Sequence, residues 1–149
     1  MRIVLQRVLE ASVKVYGEPI GEIEKGYLIF VGIEDEDTEE DALWLAQKVA
    51  KLRLFADDEG KMNLSLTDIN GSVLVVSQFT LHASTKKGNR PSFIKAGKPA
   101  YAEQLYHRFQ AMLAEQNLNI QEGEFGADMQ VSLVNDGPVS LFRDSKNKE

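Results

Sequence analysis

The stretch that decides the fold is Tyr27-Leu28-Ile29-Phe30-Val31-Gly32-Ile33. A strand that is apolar at every position has no face left for solvent, so this run predicts a central strand buried on both sides. A second apolar run at residues 73–79 predicts another core strand. Residues 11–16 instead alternate apolar with polar side chains, as a half-buried strand does. The first half of the chain is therefore predicted to be strand-rich.

Two segments have helical periodicity. Thr38 can cap a helix over residues 39–54, and Asp41 stands three residues later to complete a short capping box. Pro99 suits the first position of a second helix. Each helix has one apolar stripe: Ala42, Leu45, Ala46, Val49 and Leu52, then Ala102, Leu105, Tyr106, Phe109, Met112 and Leu113. Strand patterns return at residues 118–122, 129–134 and 139–142, so the fold class is α+β, strand-rich, with two helices.

Length and composition exclude several classes of protein. The 149 residues match one domain, 1–149, with a polar tail at about residues 143–149 that we expect to be flexible. Without cysteine there is no disulfide, thiolate metal site or cysteine nucleophile. No apolar run approaches the roughly 20 residues that cross a bilayer. The first residues lack the apolar core of a secretory signal, so we expect a cytoplasmic protein.

Charge is distributed unevenly along the chain. Seven acids stand within residues 34–41, at the start of the first predicted helix. The positive end of the helix dipole stabilises their negative charge there. Without this block the net charge of −6 becomes +1. Residues 83–98 contain no acid and five cations: Lys86, Lys87, Arg90, Lys95 and Lys98. This segment is either a solvated loop or a surface for phosphates.

Common catalytic motifs are absent, including phosphate-binding glycine loops, H-E-x-x-H and G-x-S-x-G. His107 falls between apolar positions of the second helix and is predicted to lie on the surface. His82 follows a core strand and is either an exposed loop residue or part of a site. A strand continuing to residue 82 would place Gln78, Thr80 and His82 on one face. Polar residues at the end of an apolar strand indicate a site, or a strand that emerges into solvent.

A second polar segment, Asn135-Asp136-Gly137-Pro138-Val139-Ser140, separates the last two predicted strands. A Gly-Pro step forms a tight turn, and the bond before a proline can be cis. Taken alone, the segment predicts a hairpin turn.

These two segments together resemble the paired signatures of the D-aminoacyl-tRNA deacylase (D-tyrosyl-tRNA deacylase) family. The first signature is Ser77-Gln78-Phe79-Thr80-Leu81, and the second is residues 135–140. Four further stretches are similar to the family in the expected order: Gln6-Arg7-Val8, Gly60-Lys61-Met62-Asn63, Arg90-Pro91-Ser92-Phe93 and Phe125-Gly126-Ala127-Asp128-Met129-Gln130-Val131. Ser140 stands where the family usually has Thr, which keeps the hydroxyl group. The resemblance covers nearly the whole chain.

The resemblance implies a barrel-like mixed sheet with two helices in a homodimer. The implied reaction is hydrolysis of the ester that joins a D-amino acid, or glycine, to the 3′-terminal adenosine of tRNA. Gly137 and Pro138, joined by a cis bond, would enter the partner subunit's pocket and reject an L side chain by collision. The resemblance implies no cofactor and no metal ion.

The resemblance also implies roles within the pocket. The catalytic segment would supply a backbone oxyanion hole and position the substrate; its residues are Ser77, Gln78, Phe79 and Thr80. The Thr80 hydroxyl lacks an adjacent base and is a weak nucleophile, so the tRNA's own 2′-hydroxyl is expected to assist.

Substrate binding would use two further groups of residues. Phe125 and Met129 would hold the adenosine, with core packing as the alternative. Lys86, Lys87 and Arg90 would contact tRNA phosphates, with a solvated loop as the alternative.

Two other functions fit parts of the sequence. One is a non-catalytic dimeric RNA- or DNA-binding module that uses the same basic segment. The chain as a whole lacks the excess of positive charge that is typical of such modules. The other is a metal-dependent esterase, which is disfavoured because His82 and His107 have no ligand spacing.

Overall fold

The structure is a computed structural model that describes residues 1–149. Its elements, in chain order, are β1 (Arg2–Val15), β2 (Glu18–Ile23), β3 (Gly26–Gly32), α1 (Glu39–Lys51), β4 (Phe55–Ala56), β5 (Met62–Leu64), β6 (Ser72–Ser77), a 3₁₀ turn (Phe79–His82), α2 (Pro99–Glu115), β7 (Asn119–Glu122) and β8 (Met129–Asp144). The predicted α+β class, strand-rich with two helices, is confirmed. Neither helix is long and apolar enough to cross a membrane.

Six strands form a nearly closed, barrel-like mixed sheet, as predicted. The order is β2-β1-β3-β6-β7, and β8 pairs with the remaining edge of β1. The β3–β6 and β6–β7 pairs are parallel, and the others are antiparallel. A Cβ added to Gly21 would lie 2.8 Å from the Glu122 carbonyl oxygen, so glycine permits the close approach of β2 to β7.

Strand β3 is buried on both faces because hydrophobic clusters lie on each side of the sheet. Tyr27 and Ile29 belong to the cluster that includes both helices, and Leu28 belongs to the cluster on the other face. Each such side chain contributes roughly 1.5–3 kcal/mol by its burial. Helix α2 is also tied to the sheet by a hydrogen bond from the Tyr106 hydroxyl to the Val75 carbonyl (2.9 Å).

The acidic block has a structural role. Asp41 accepts a hydrogen bond from the Thr38 amide (2.8 Å), which forms the predicted cap of α1. Lys146 Nζ lies 3.0 Å from Asp41 Oδ2. Asp37 is buried and pairs with the amino group of Met1. The helix ends three residues before the predicted residue 54, because Leu52 leaves the helical conformation.

We predict that Asp41→Ala lowers the free energy of unfolding by about 1–2 kcal/mol, since it removes the cap. Burial alone would raise the pKa of Asp41, but hydrogen bonds from Ser145, the Thr38 amide and Lys146 outweigh burial and hold the pKa well below its usual 3.8. The carboxylate therefore stabilises the fold fully above about pH 4 and progressively less as the pH falls below it. Urea denaturation should show a gap between wild type and variant at pH 7 that shrinks toward pH 2. Glu40→Ala, at an exposed first-turn acid, is the control, and a gap that widens in acid contradicts the prediction.

The predicted strand conformation is confirmed up to Ser77 and wrong for residues 78–82. Strand β6 ends at Ser77, and Phe79–His82 forms the 3₁₀ turn, called the site turn below. Gln78, Thr80 and His82 therefore do not share a strand face. The turn folds back over Gly32, where an added Cβ would lie 2.8 Å from Leu81 Cβ and 3.1 Å from His82 Cδ2.

The predicted hairpin at residues 135–140 is also wrong. One strand, β8, runs the full length of β1, with Val8 opposite Asn135 and Gln6 opposite Ser140. Residues 136–139, called the Gly-Pro loop below, bulge out of this pairing because only Arg7 of β1 stands opposite them. The tail predicted from about residue 143 begins inside β8, and Ser145 beyond it is buried.

Candidate active site

A cavity of about 510 Å³ opens at the carboxyl ends of the parallel strands β3 and β6. This end of a parallel pair is where ligands commonly bind in α/β sheets. The structure brings five of the predicted site residues together here: Ser77, Gln78, Phe79, Phe125 and Met129. Thr80, the basic residues and the Gly-Pro loop do not line the cavity.

The site turn leaves two of its backbone amides without a hydrogen-bond partner inside the turn. The Gln78 amide donates to the Val31 carbonyl (2.7 Å), which extends the β3–β6 pairing by one residue. The first hydrogen bond within the turn runs from the Leu81 amide to the Gln78 carbonyl (3.2 Å). The amides of Phe79 and Thr80 precede that bond, so the turn itself does not use them. The Gln78 side-chain amide donates to the Thr80 hydroxyl.

One side-chain hydrogen bond ties the site turn to β1. Arg2 Nη1 donates to the Leu81 carbonyl (3.0 Å), while Arg2 Nε pairs with Asp144 (3.1 Å). His82 is 1% exposed; its Nδ1 lies 3.1 Å from Glu34 Oε1, but the two atoms are not aligned as a hydrogen bond, and neither ring nitrogen has a hydrogen-bond partner. His82 is therefore neither an exposed loop residue nor part of the cavity lining. It is the buried last residue of the site turn.

Phe125 lies in the loop between β7 and β8, where it packs on the core and also lines the cavity. Its ring is 5.7 Å from that of Tyr106. Burial, and after it the Glu122 carboxylate, raises the pKa of Tyr106, so its hydroxyl stays protonated and donates to the Val75 carbonyl. That carbonyl also accepts from the Gly123 amide (2.9 Å), which fixes the start of the loop.

Met129 reaches the cavity because Gly123 leaves space for it. A Cβ added to Gly123 would lie 2.6 Å from the Met129 sulfur. Phe125 and Met129 thus both line the cavity, while the roles of both residues remain predictions.

The Gly-Pro loop is anchored at both ends. Arg7 Nε lies 3.2 Å from the Asp136 carbonyl oxygen and 3.3 Å from Asp136 Oδ2. The Val139 amide donates to Asn135 Oδ1 (3.2 Å). Arg7 also donates to the Leu54 carbonyl before β4. The loop is therefore held against β1 as a fixed projection.

Gly137 and Pro138 lie at the tip of this projection, and both are exposed. The bond that joins them is cis, as the resemblance implies. Neither residue lines the cavity of its own chain.

The basic loop (residues 83–98) lies beside the cavity. Paired hydrogen bonds between Ser84 and Ser92 (both 2.8 Å) close the part that carries Lys86, Lys87 and Arg90. All three cations are exposed, and none forms an ion pair with a carboxylate.

Sequence reasoning missed two parts of this site. The first is the end of the basic loop, where Ala96, Gly97 and Pro99 line the cavity. The Gly97 amide donates to the Ile33 carbonyl (2.8 Å), a long-range contact that leaves no local pattern. The second is the anchoring role of Arg7. The sequence does contain a signal for this role, because Gln6 and Arg7 are polar residues within an otherwise apolar segment.

Titratable side chains are scarce at the cavity. Asp128 is the one ionisable residue in the lining, and it is exposed. No group of three or more His, Cys, Asp or Glu side chains is arranged to hold a metal ion. Fold and cavity together define an α+β protein with a largely apolar pocket, whose polar lining side chains are those of Ser77, Gln78 and Asp128.

Comparison with known proteins defines the family. The family described as D-Tyr-tRNA(Tyr) deacylase matches residues 4–144. Proteins named D-aminoacyl-tRNA deacylase from Akkermansia muciniphila and Flavobacterium johnsoniae are 57% and 55% identical over 150 residues, with the whole of each chain covered. The chain belongs to the D-aminoacyl-tRNA deacylase family.

Two solved structures share the fold. One, titled c-Myc DNA Unwinding Element Binding Protein, has a TM-score of 0.90 at 40% identity and covers 97% of this chain and 98% of its own. The other, titled as a probable eukaryotic D-amino acid tRNA deacylase, has a TM-score of 0.81 at 16% identity, with 95% and 97% covered.

Proposed function

We propose that the protein hydrolyses the ester between a D-amino acid, or mischarged glycine, and the 3′-terminal adenosine of tRNA. The observation that carries the proposal is the convergence of the site turn with Phe125 and Met129 on one cavity in a chain of this family. The names of the bacterial relatives support the same reaction. An aminoacyl-tRNA substrate makes the cytoplasm the expected compartment.

The cavity suits the end of an aminoacylated tRNA. Its volume of about 510 Å³ lies within the range of small-molecule sites, roughly 300–1,000 Å³. The Phe125 ring offers a face for adenine, and such stacking contributes about 1–3 kcal/mol per base. Met129 adds a polarisable side chain at the same wall.

The chemistry requires no strong side-chain nucleophile. A water molecule attacks the ester carbonyl, and the amides of Phe79 and Thr80 stabilise the resulting oxyanion, each by about 10²–10³ in rate. The ester C–O bond then breaks, and the ribose 3′-oxygen leaves with a proton. The neighbouring 2′-hydroxyl of the tRNA assists this proton transfer, since the cavity lining holds no histidine, lysine or cysteine.

The test of hydrolysis is release of free amino acid from D-aminoacyl-tRNA, measured beside tRNA binding. We expect release, which EDTA does not prevent. Binding without release would favour the alternative, a non-catalytic nucleic-acid-binding module. The unpaired cations of the basic loop are the observation that favours this alternative. Loss of release in EDTA would favour a metal-dependent esterase.

We predict that Thr80→Ala keeps deacylation within about tenfold of wild type, because the oxyanion contacts come from the backbone. Hydrolysis of D-aminoacyl-tRNA under single-turnover conditions measures the effect. The matched control is Thr67→Ala, at an exposed turn position. Complete inactivation of a folded Thr80→Ala protein would make the Thr80 hydroxyl the nucleophile instead.

We further propose that the active unit is a homodimer. Val4 stands directly opposite Phe30 on one side and Phe142 on the other, so the three side chains form an apolar row on one face of the sheet. Phe142 is 56% exposed. The outer edge of β8 pairs with no strand, and a long free edge normally requires cover. A second copy related by two-fold symmetry would cover both features.

In this dimer, selectivity comes from the Gly-Pro loop of the partner subunit. The loop projects from the same strand as Phe142, close to the apolar row. Its anchors at Arg7 and Asn135 give it a fixed position, so it can act as a wall. An L side chain collides with this wall, whereas the hydrogen of glycine or a D side chain points elsewhere.

A further inference from the structure

We propose that Phe79, Phe93 and Ile94 form a platform that extends outward from the edge of the cavity, for the unpaired nucleotides that precede the terminal adenosine of the RNA. This inference rests on the proposed function and assigns the substrate's single-stranded end to a surface beyond the adenosine pocket. The three residues are called the platform below.

The platform is built on an aromatic pair in which Phe79 is exposed and Phe93 is half-buried. Phe79 lines the cavity, yet 58% of it is exposed. Phe93 meets it edge to face, with ring centroids 5.0 Å apart and planes at 75°. An aromatic pair that buries only one side leaves ring surface on which a base can stack.

Ile94 extends this surface. The Ala96 amide donates to the Phe93 carbonyl (2.9 Å), which closes a turn with Ile94 and Lys95 at its tip. Ile94 is 89% exposed and therefore has almost no packing partner in this chain. The turn is fixed next to the cavity because Ala96 and Gly97, which directly follow it, line the cavity.

The charge of the basic loop itself favours a nucleic acid over an apolar protein partner, and the acids close to it are Asp35, which accepts from the Lys98 amide (2.7 Å), and Asp128 of the cavity lining. The basic loop that contains Phe93 and Ile94 has five cations and no acid, and none of the cations is in an ion pair. Aromatic faces beside unpaired cations are the arrangement that binds single-stranded RNA with little sequence preference. An RNA whose last nucleoside occupies the cavity would leave it across this turn.

The test compares three substrates that share one D-aminoacyl ester: adenosine alone, an oligonucleotide ending in CCA, and tRNA. Phe93→Ala should lower kcat/KM for the oligonucleotide and tRNA by roughly 5- to 150-fold, the range expected for one lost stack. The nucleoside ester should lose much less. Ile94→Ala should also lower kcat/KM for the oligonucleotide and tRNA, and the change cannot disturb packing because Ile94 is exposed. Ile94→Trp should increase kcat/KM for the oligonucleotide.

Controls separate the platform from other causes. Leu43→Ala, an exposed apolar truncation on α1, should change none of the three rates. Lys86→Ala with Lys87→Ala should weaken tRNA binding and make its salt dependence shallower. Equal losses on the nucleoside and oligonucleotide esters, or no loss on either, would overturn the platform. So would a lower oligomer mass in Ile94→Ala, which would assign Ile94 to a contact between copies. If the wild type cleaves no D-aminoacyl ester at all, the proposed function fails instead.

Discussion

Phe142→Asp is expected to convert the protein from dimer to monomer and to lower kcat/KM for D-aminoacyl-tRNA by about 100-fold or more. Phe142 is exposed beside Val4 and Phe30, so a carboxylate there leaves the fold intact but cannot be buried against a second copy. Without the partner's Gly-Pro loop, the substrate loses part of the geometry that orients its ester, and misplacement of this kind costs about 10² in rate. Light scattering gives the mass, and single-turnover hydrolysis gives the rate.

The control for this prediction is Leu43→Asp, an equally drastic change at an exposed apolar position of α1. It should leave both mass and rate unchanged. A Phe142→Asp protein that is monomeric and fully active would remove the cross-subunit part of the mechanism. One that stays dimeric would move the interface away from the apolar row.

Phe125→Ala is expected to raise KM for D-aminoacyl-tRNA by roughly 5- to 150-fold, the equivalent of about 1–3 kcal/mol of lost adenine stacking. It should also lower the free energy of unfolding, since Phe125 packs on Tyr106. Phe125→Leu separates the two effects, because leucine keeps most of the packing but offers no aromatic face. Steady-state kinetics and urea denaturation measure the two quantities on the same preparations.

Ile69→Ala supplies the reference for stability alone. Ile69 packs on the same hydrophobic cluster as Phe125 but does not line the cavity. If Phe125→Ala changes KM no more than a variant of equal stability loss does, Phe125 is a core residue and the adenosine assignment is wrong.

Much of the fold could be predicted from the sequence because its decisive signals are local. An uninterrupted apolar run was enough to predict that β3 is buried on both faces, and Thr38 with Asp41 predicted the start of α1. The site turn and the continuous strand β8 could not be predicted in this way. Both depend on contacts with distant residues: Gly32 beneath the turn, and β1 alongside the whole of β8.

The candidate site was predicted from motif resemblance rather than from chemistry. No spacing rule joins residues 77–79 to Phe125 and Met129, which meet only because β6 ends and β8 begins at the same cavity. The motif resemblance implied a tRNA substrate, whereas the net charge of −6 argued against an RNA partner. The structure places much of that negative charge around the cap of α1, through Asp37 and Asp41, whereas the cations of the basic loop stay unpaired beside the cavity.

The proposed function requires that this site hydrolyse one enantiomer and reject the other. The most direct measurement is the rate of ester hydrolysis for the same amino acid attached to the same tRNA in its D and L forms, at equal enzyme concentration. We expect rapid release from the D form and a rate at the spontaneous background for the L form. Equal rates for the two forms, or no release from the D form, would contradict the account.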